Sequence, residues 1–534
     1  MKLLSADEAV ARIPDGATVA VHGTGPVLEP DLLLEALERR FLTEGHPRDL
    51  TLFTPMCPGD RRGEGGMNRF AHPGMLRRLI GASFAKARHP KLLDLIRQGA
   101  FESYMIGMGT AVQMLTAIGT GRPGVFTQVG LGTFLDPRRE GGAMNDRSTN
   151  PPVRVEVLDG REYLYYPSLP IGVAIIRGTT ADENGYISFE EETNTLGGPE
   201  LALAAHNSGG TVIAQVKRVA RGFSLDPRLV RIPGPLVDIV AVHPRQTQLS
   251  SAMADPAAGW NPFFAGALKH PLTGLAPVPT GAELVILRRA ALELRPGDVI
   301  NLGAGVATRL PLVALQERIN ERVVFTNEHG IFGGMMGTAL GGSFVPALNA
   351  DAIMDSAFQF NFYEGGGLDI TFLGVGQVDA KGDLNVSRFG EEINGPGGFN
   401  TITENTDRIV FCGSLTSGGL KLRVEDGQVS ITSEGRFRKY VPQVEQVTFN
   451  GRRAFEKRQH VLYVTERCVF TLGPDGLVLT EVAPGIDIDR DIRPQVGFDL
   501  ATAAHVQTMD KRIFAPGPMG LWRSFGREDD ATSA

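Results

Sequence analysis

Residues 294–305 read LRPGDVINLGAG, and residues 13–25 read IPDGATVAVHGTG. Each is a Pro/Gly turn, a short apolar strand and a Gly-x-Gly loop, so one chain states the same unit twice. Three further echoes follow. VFTQVG (125–130) pairs with VFTNEHG (324–330), VAIIRGTTADENGYI (173–187) with ITFLGVGQVDAKGDL (370–384), and GGTVIAQV (209–216) with TDRIVFCG (406–413). Their landmarks, Phe126 and Phe325, Asp182 and Asp379, Val212 and Val410, keep a nearly constant offset, whereas the opening pair is spaced more widely. That mismatch predicts an insertion of about 80 residues in the first copy, roughly within 26–124.

Apolar, β-branched runs such as GVAIIRG, GDVINLG, RVVFT and LDITFLG end in Gly or polar turns, with helical patterns such as PDLLLEALERRFL between them. Strands buried on both faces and alternating with helices predict an α/β fold: two tandem homologous open α/β domains with mostly parallel sheets. A length of 534 residues suits two domains that each bury a core. The Pro-rich, aperiodic stretch PLTGLAPVPTGAE (271–283) marks the boundary, giving domains at 1–275 and 283–520 and a tail at 521–534.

The composition excludes several classes. A net charge of −7 and 21% charged residues leave no electrostatic footprint for nucleic acid, so a phosphate-rich ligand needs a local basic pocket. Cys57, Cys412 and Cys468 form neither a CxxC pair nor a disulfide framework, and the scattered histidines lack metal-ligand spacing. No apolar run reaches the length of a membrane span, and the start MKLLSADEAVARIPDG has no signal-peptide core. A cytoplasmic protein with no metal and no membrane partner is expected. GTGRPG (119–124) fits a Gly-x-Gly-x-x-Gly pattern but follows a helix and precedes a strand, the reverse of the dinucleotide fingerprint.

Within VVFTNEHGIFGG (323–334) a single carboxylate, Glu328, stands at the end of a strand, where open α/β sheets bind ligands. Its echo in the first copy, TQVG, has no acid. Glycine clusters follow at 333–337, 341–342, 365–367 and 395–398, and they offer backbone N–H donors for an oxyanion or pyrophosphate. A carboxylate beside such donors can act as the nucleophile of an acyl transfer, and it is expected to be ionised near neutral pH without a general base.

The chain resembles the family I CoA-transferases, specifically the single-chain acetate/propionate (short-chain acyl) type with fused alpha and beta subunits. The resemblance runs over about residues 5–515 and is carried by RPGVFTQVGLGTFLDPRREGGAMN (122–145), NEHGIFGG (327–334), FYEGGGLDITFLGVGQVDAKGDLNVSRFG (362–390), NGPGGF (394–399) and TERCVFTLGPDGLVLTEVAPGIDIDRDI (465–492). It implies the family's NagB/RpiA-like fold and an acyl-CoA:carboxylate CoA-transferase in which Glu328 attacks the thioester. An acyl-glutamyl anhydride and then a glutamyl-CoA thioester follow, with ping-pong kinetics. It further implies an oxyanion and CoA loop at Gly395, Gly397, Gly398 and Phe399, and CoA-facing segments at Gly365, Gly366, Gly367, Gln377 and Asn385. Coenzyme A enters as a substrate, no cofactor is bound permanently, and a homo-oligomer, a tetramer, is expected.

The chain also departs from the family. MIGMG (105–109) stands where the family reads Asn-Leu-Pro-Gln-Gly, so Met108 replaces a glutamine that helps bind the thioester carbonyl, with Gln113 the nearest substitute. GASFAKAR (81–88) replaces a Gly-Gly-His-type segment, and His329 follows Glu328 where a small or amide residue is usual. Met108, Gln113 and His329 are therefore expected around the acyl group, in a lining that favours a bulkier acid. Two other readings stay open at this level: an acyl-CoA hydrolase on the same fold, and a non-catalytic CoA-binding protein.

Overall fold

A computed structural model describes residues 1–60, 63–84, 87–250, 259–336 and 345–526. The first half contributes strands β1 (Lys2–Leu3), β2 (Thr18–Val21), β3 (Leu50–Thr54), β4 (Leu76–Gly81), β5 (Glu102–Met105), β6 (Gly124–Thr127), β7 (Arg154–Leu158), β8 (Arg161–Pro167), β9 (Val173–Arg177), β10 (Thr211–Val216) and β11 (Ile239–Val242). Eight of them form one sheet in the order β1-β11-β10-β9-β2-β3-β4-β5, and all its pairings are parallel. Every residue of β9 is buried, as a strand covered on both faces requires.

The second half repeats the pattern with β12 (Val299–Leu302), β13 (Val324–Asn327), β14 (Ile331–Phe332), β15 (Ala352–Ile353), β16 (Ile370–Gly374), β17 (Gln377–Val378), β18 (Leu384–Asn385), β19 (Arg408–Cys412), β20 (His460–Val464), β21 (Cys468–Gly473), β22 (Gly476–Val482) and β23 (Ala501–Thr508). Its ten-stranded sheet runs β15-β14-β13-β12-β16-β19-β20-β21-β22-β23. The central run β13-β12-β16-β19-β20 is parallel, and antiparallel strands are added at both sides.

The two sheets correct one sequence echo. β2, β9 and β10 occupy the same places in their sheet as β12, β16 and β19, so three echoes match in position. VFTQVG does not: β6 belongs to a separate three-stranded antiparallel sheet, β6-β8-β7. The strand beside β2 that corresponds to β13 is β3, and the chain after it reads Pro55-Met56-Cys57-Pro58, again with no acid. The extra residues of the first copy therefore extend past 124 and take in the β6–β8 sheet. Phe-Thr ends both β3 and the β6 segment, and that local likeness produced the mismatch.

Four helices join the halves: α1 (Met108–Gly119), α2 (Gly198–Asn207), α3 (Ser356–Glu364) and α4 (Phe399–Glu404). Most of α1 is buried, because α2 covers it on one side and α3 on the other. One hydrophobic cluster accordingly runs through both halves, from Ala20 and Met108 to Phe360, Phe399 and Phe411. Stretch 271–283 is irregular up to the helix Ala282–Ala291.

Candidate active site

The parallel strand β13 delivers Glu328 into a turn that closes on Gly330. Gly330 has φ +94°, and a Cβ there would lie 2.1 Å from the carbonyl oxygen of Met354, so only glycine fits. The turn is held at His329, whose N–H donates to Asn327 Oδ1 (3.0 Å) and whose carbonyl accepts from Asn194 Nδ2 (2.8 Å). Asn194 comes from the first half, so the two halves together fix the backbone next to Glu328. The neighbouring Thr195 hydroxyl (2.7 Å) and Gly197 N–H (3.1 Å) donate to Asp355, which also caps the N-terminus of α3.

Glu328 keeps a partly open side chain, yet enough protein surrounds it that burial pushes its pKa up to about 7; the Gly398 N–H facing the carboxylate acts in the opposite direction. Glu328, expected from the sequence to be ionised near neutral pH, thus has its pKa lifted toward neutrality, by burial first. The imidazole of His329 stays neutral, because burial drops its pKa to about 3.

Gly398 begins α4, and a Cβ on it would fall 2.0 Å from Glu328 Oε2 and 3.0 Å from the Phe360 ring. Gly397 (φ +55°) donates its N–H to Ala82 O (2.9 Å) and accepts from Met108 N–H (2.8 Å). Gly395 (φ +76°) donates to Ser387 O (3.1 Å). Phe399 stacks on Phe411, with centroids 5.9 Å apart and planes 7° from parallel, and anchors the loop from beneath. Gly395, Gly397, Gly398, Phe399, Met108 and His329 are thus brought around Glu328, and the two segments that depart from the family pattern, 81–84 and 105–109, frame the loop.

Gln377 and Asn385 face each other across the β17/β18 hairpin just beyond the carboxyl end of β16, joined by Asn385 Nδ2 to Gln377 Oε1 (2.8 Å). Two other expectations are corrected. Gly365, Gly366 and Gly367 sit at the opposite, amino-terminal edge of the sheet, where their amides donate to Asn361, Tyr363 and Phe362 carbonyls and close the end of α3. These N–H groups are already used, as helix ends demand. Gln113 gives its amide to Glu364 (2.5 Å) and Asn361 (3.2 Å) where α1 meets the end of α3, so it does not replace the family glutamine. The glycines 341–342 and the acidic end of the tail, 527–534, lie outside the described residues.

Two cavities flank this region. One, about 490 Å³, opens at the carboxyl ends of β12, β16 and β19 and is lined by Gly305, Gly374, Phe389, Gly413 and Lys439. Lys439 Nζ donates to Val375 O (3.1 Å), and burial pulls its pKa below the usual lysine range. The other, about 540 Å³, is lined by Phe189, Asn194, Leu229, Arg231, Trp260 and Ile353, and so adjoins the Glu328 turn through Asn194. Among the described residues no group of three or more His, Cys, Asp or Glu is arranged to hold a metal ion, and no helix is long and apolar enough to cross a membrane.

Chemically, a partly desolvated carboxylate beside a backbone N–H, with the neighbouring backbone held on both sides, suits attack on a carbonyl whose oxygen becomes negative.

Known proteins share this architecture. The coenzyme A transferase family model matches residues 3–243. The chain is 40% identical to caffeate CoA-transferase of Acetobacterium woodii, over 98% of this chain and 100% of that protein. It is 38% identical to acetate CoA-transferase YdiF of Escherichia coli, strain K12, over 97% of this chain and 96% of that one. The crystal structure of the YdiF apoenzyme from Escherichia coli O157:H7 superposes with a TM-score of 0.90 at 37% identity, covering 97% of both chains, as does a YdiF thioester complex with CoA. With a catalytically suited carboxylate set between two repeated α/β halves, and relatives matched along almost their whole length, this chain belongs to the coenzyme A transferase family and is an enzyme that transfers CoA.

Proposed function

We propose that the chain moves CoA between an acyl-CoA and a carboxylic acid with Glu328 as nucleophile. The observation that carries this is the contact between Glu328 and Gly398: a carboxylate raised to about pKa 7 by burial, faced by the N–H of a glycine on which a Cβ would lie 2.0 Å from Glu328 Oε2.

The Glu328 carboxylate attacks the thioester carbonyl carbon, and the C–S bond breaks as the thiolate leaves with its electron pair. The thiolate then attacks the glutamyl carbonyl of the anhydride, releasing the first acid and leaving CoA bound to Glu328 as a thioester. A second acid reverses the two steps. One thioester replaces another, so no ATP, metal or permanently bound cofactor is needed. CoA presents its phosphates to the cavity of β12, β16 and β19, where Lys439 supplies a local positive charge. The acyl group points to the cavity beside Asn194, whose Trp260 and Leu229 give more apolar room than an acetyl group fills; a relative named for caffeate supports a larger acid.

The domain limits 1–275 and 283–520, a homo-tetramer and a cytoplasmic location belong to the same reading.

The test is intact-protein mass after mixing with a panel of acyl-CoAs, from acetyl to aromatic, without acceptor acid, followed by peptide mapping. A CoA adduct on the peptide containing Glu328 is expected, forming fastest with the larger acyl groups. Free thiol accumulating with no adduct would overturn the transfer mechanism in favour of hydrolysis.

A further inference from the structure

GTGRPG (119–124), whose setting is the reverse of a dinucleotide loop, has another use in the fold. Gly119 ends α1 and Gly121 takes the left-handed backbone (φ +68°) that closes a helix, with the N–H groups of Gly121 and Arg122 donating to Ile118 O (3.1 Å) and Ala117 O (2.9 Å). Pro123 then leads into β6, an edge strand paired with β8 and packed against α1. Between α1, β6 and the last turn of α3 lies a cavity of about 540 Å³, lined by Gln113, Arg122, Val125, Phe126, Asn361 and Glu364 among others. It crosses the seam between the halves, because α1 belongs to the first and α3 to the second. Gln113 to Ala117 stand about 8–14 Å along α1 from Met108, and the cavity shares no residue with the two beside Glu328.

The wall holds one cation and one acid, and they do not meet. Glu364 is spent on neutral donors: Gln113 Nε2 reaches its Oε2 (2.5 Å) and the Thr127 hydroxyl its Oε1 (2.5 Å). Among the described residues the Arg122 guanidinium has neither an ion pair nor a hydrogen bond. Asn361 accepts from Gln113 through Oδ1 (3.2 Å), and among the same residues its Nδ2 donates to nothing. Donors from both halves thus line one space without acceptors. A guanidinium presents paired N–H groups in the plane that a carboxylate or sulfonate fits. One guanidinium beside the acidic residue Glu364 suits a ligand with one negative charge, not a di- or triphosphate.

One wall is aromatic. Phe126, Tyr165 and Arg154 are cross-strand neighbours on β6, β8 and β7, and they stack in that order. The Phe126 and Tyr165 centroids are 4.4 Å apart, and the Arg154 guanidinium lies 4.3 Å from the Tyr165 ring. Phe126 ends the stack, is 42% exposed and lines the cavity, so a planar ring placed there would extend the row. We propose that the cavity is a second binding site, one for an aromatic carboxylic acid: its carboxylate pairs with the Arg122 guanidinium, its ring stacks on Phe126, and Asn361 Nδ2 donates to it from the other half. The ligand bridges the seam beside the bonds of Gln113 to α3, so binding stabilises the joined halves. It lies away from the reacting atoms, and the inference holds whichever residue attacks the thioester.

Benzenesulfonate is the probe, since it carries the ring and the charge but does not serve as a carboxylate acceptor of CoA. Isothermal titration of the full chain should show one site per chain with a Kd of about 1 mM or tighter. Tm should rise with probe concentration. Methanesulfonate, which lacks the ring, and benzamide, which lacks the charge, should each bind at least about tenfold more weakly. Arg122→Gln should weaken benzenesulfonate by about tenfold or more, Arg122→Lys by less because the charge stays, and Phe126→Leu by about three- to tenfold. Without probe both Arg122 variants should match wild type in exchange and Tm, as the guanidinium holds nothing in place. No saturable binding by about 10 mM, an Arg122→Gln affinity equal to wild type, or equal affinity for methanesulfonate would each overturn the site. Inhibition of exchange that runs to completion and is relieved by excess acyl-CoA would overturn it too, by placing the probe at the active site.

Discussion

Gly398 stands so close to Glu328 that a Cβ on the glycine would lie 2.0 Å from the carboxylate oxygen Oε2. The backbone of Gly398 is ordinary, with φ −84°, so alanine is acceptable there to the main chain and unacceptable only to its neighbours. Gly398→Ala should keep the fold and its Tm within a few degrees, yet lower exchange by about 10²-fold or more as Glu328 is pushed from its place. Exchange kinetics beside circular-dichroism melts check this, and an alanine variant with wild-type rates would show that the contact is not used.

Glu328→Gln should abolish exchange and stabilise the protein. The native carboxyl titrates near 7 because it is buried, whereas in the unfolded chain it returns to about 4.5. Between those values the unfolded state gives up its proton more readily, so wild-type stability falls as pH rises from about 4.5 to 7. Relative to wild type, the variant should gain nothing below pH 4.5 and on the order of 1–3 kcal/mol above pH 7. Denaturant titrations at pH 4 and pH 8 measure the difference. Over the same range the rate of acylation in wild type should rise as the carboxylate forms.

Asn194→Ala removes the donor to His329 O, a hydrogen bond worth about 0.5–1.5 kcal/mol. The turn carrying Glu328 loses its support from the first half, so kcat should drop about 10- to 100-fold with a smaller change in KM for CoA. Asn194→Asp should not restore it, since an ionised carboxylate cannot donate to a carbonyl.

Glu200, on α2, faces Asp355 across the seam between the halves; burial first, and then the charge of Asp355, lift its pKa to about 8. In the native state it holds a proton at neutral pH and releases it in mild alkali, while unfolded it ionises near 4.5. Wild-type stability should therefore fall as pH climbs from about 4.5 to 8 on this account as well. Glu200→Gln keeps a donor for Asp355 without the titration, so its melting temperature should exceed that of wild type by a margin that grows up to about pH 8 and then levels off.

Much of the fold was legible because strands buried on both faces are written as unbroken apolar runs ending in glycine, and because the chain writes its central strands twice. Glu328 was legible for a related reason: a lone acid at a strand end beside glycine loops is chemically conspicuous. The same local signals misled where geometry lay elsewhere. VFTQVG looks like VFTNEHG, yet hydrogen bonding places β6 in a separate antiparallel sheet. GGG at 365–367 looks like a ligand loop, but its amides are used up in ending a helix.

The sequence by itself determined the repeated α/β architecture, the acidic character and the position of the carboxylate proposed as nucleophile, because these depend on residue type and on spacing along the chain. Only the tertiary structure decided that Asn194 and Met108 of one half hold the backbone around Glu328 and Gly397 of the other, and that burial brings Glu328 to about pKa 7. Burial and hydrogen-bond pairing arise from residues more than a hundred positions apart, which come together only when both sheets have formed.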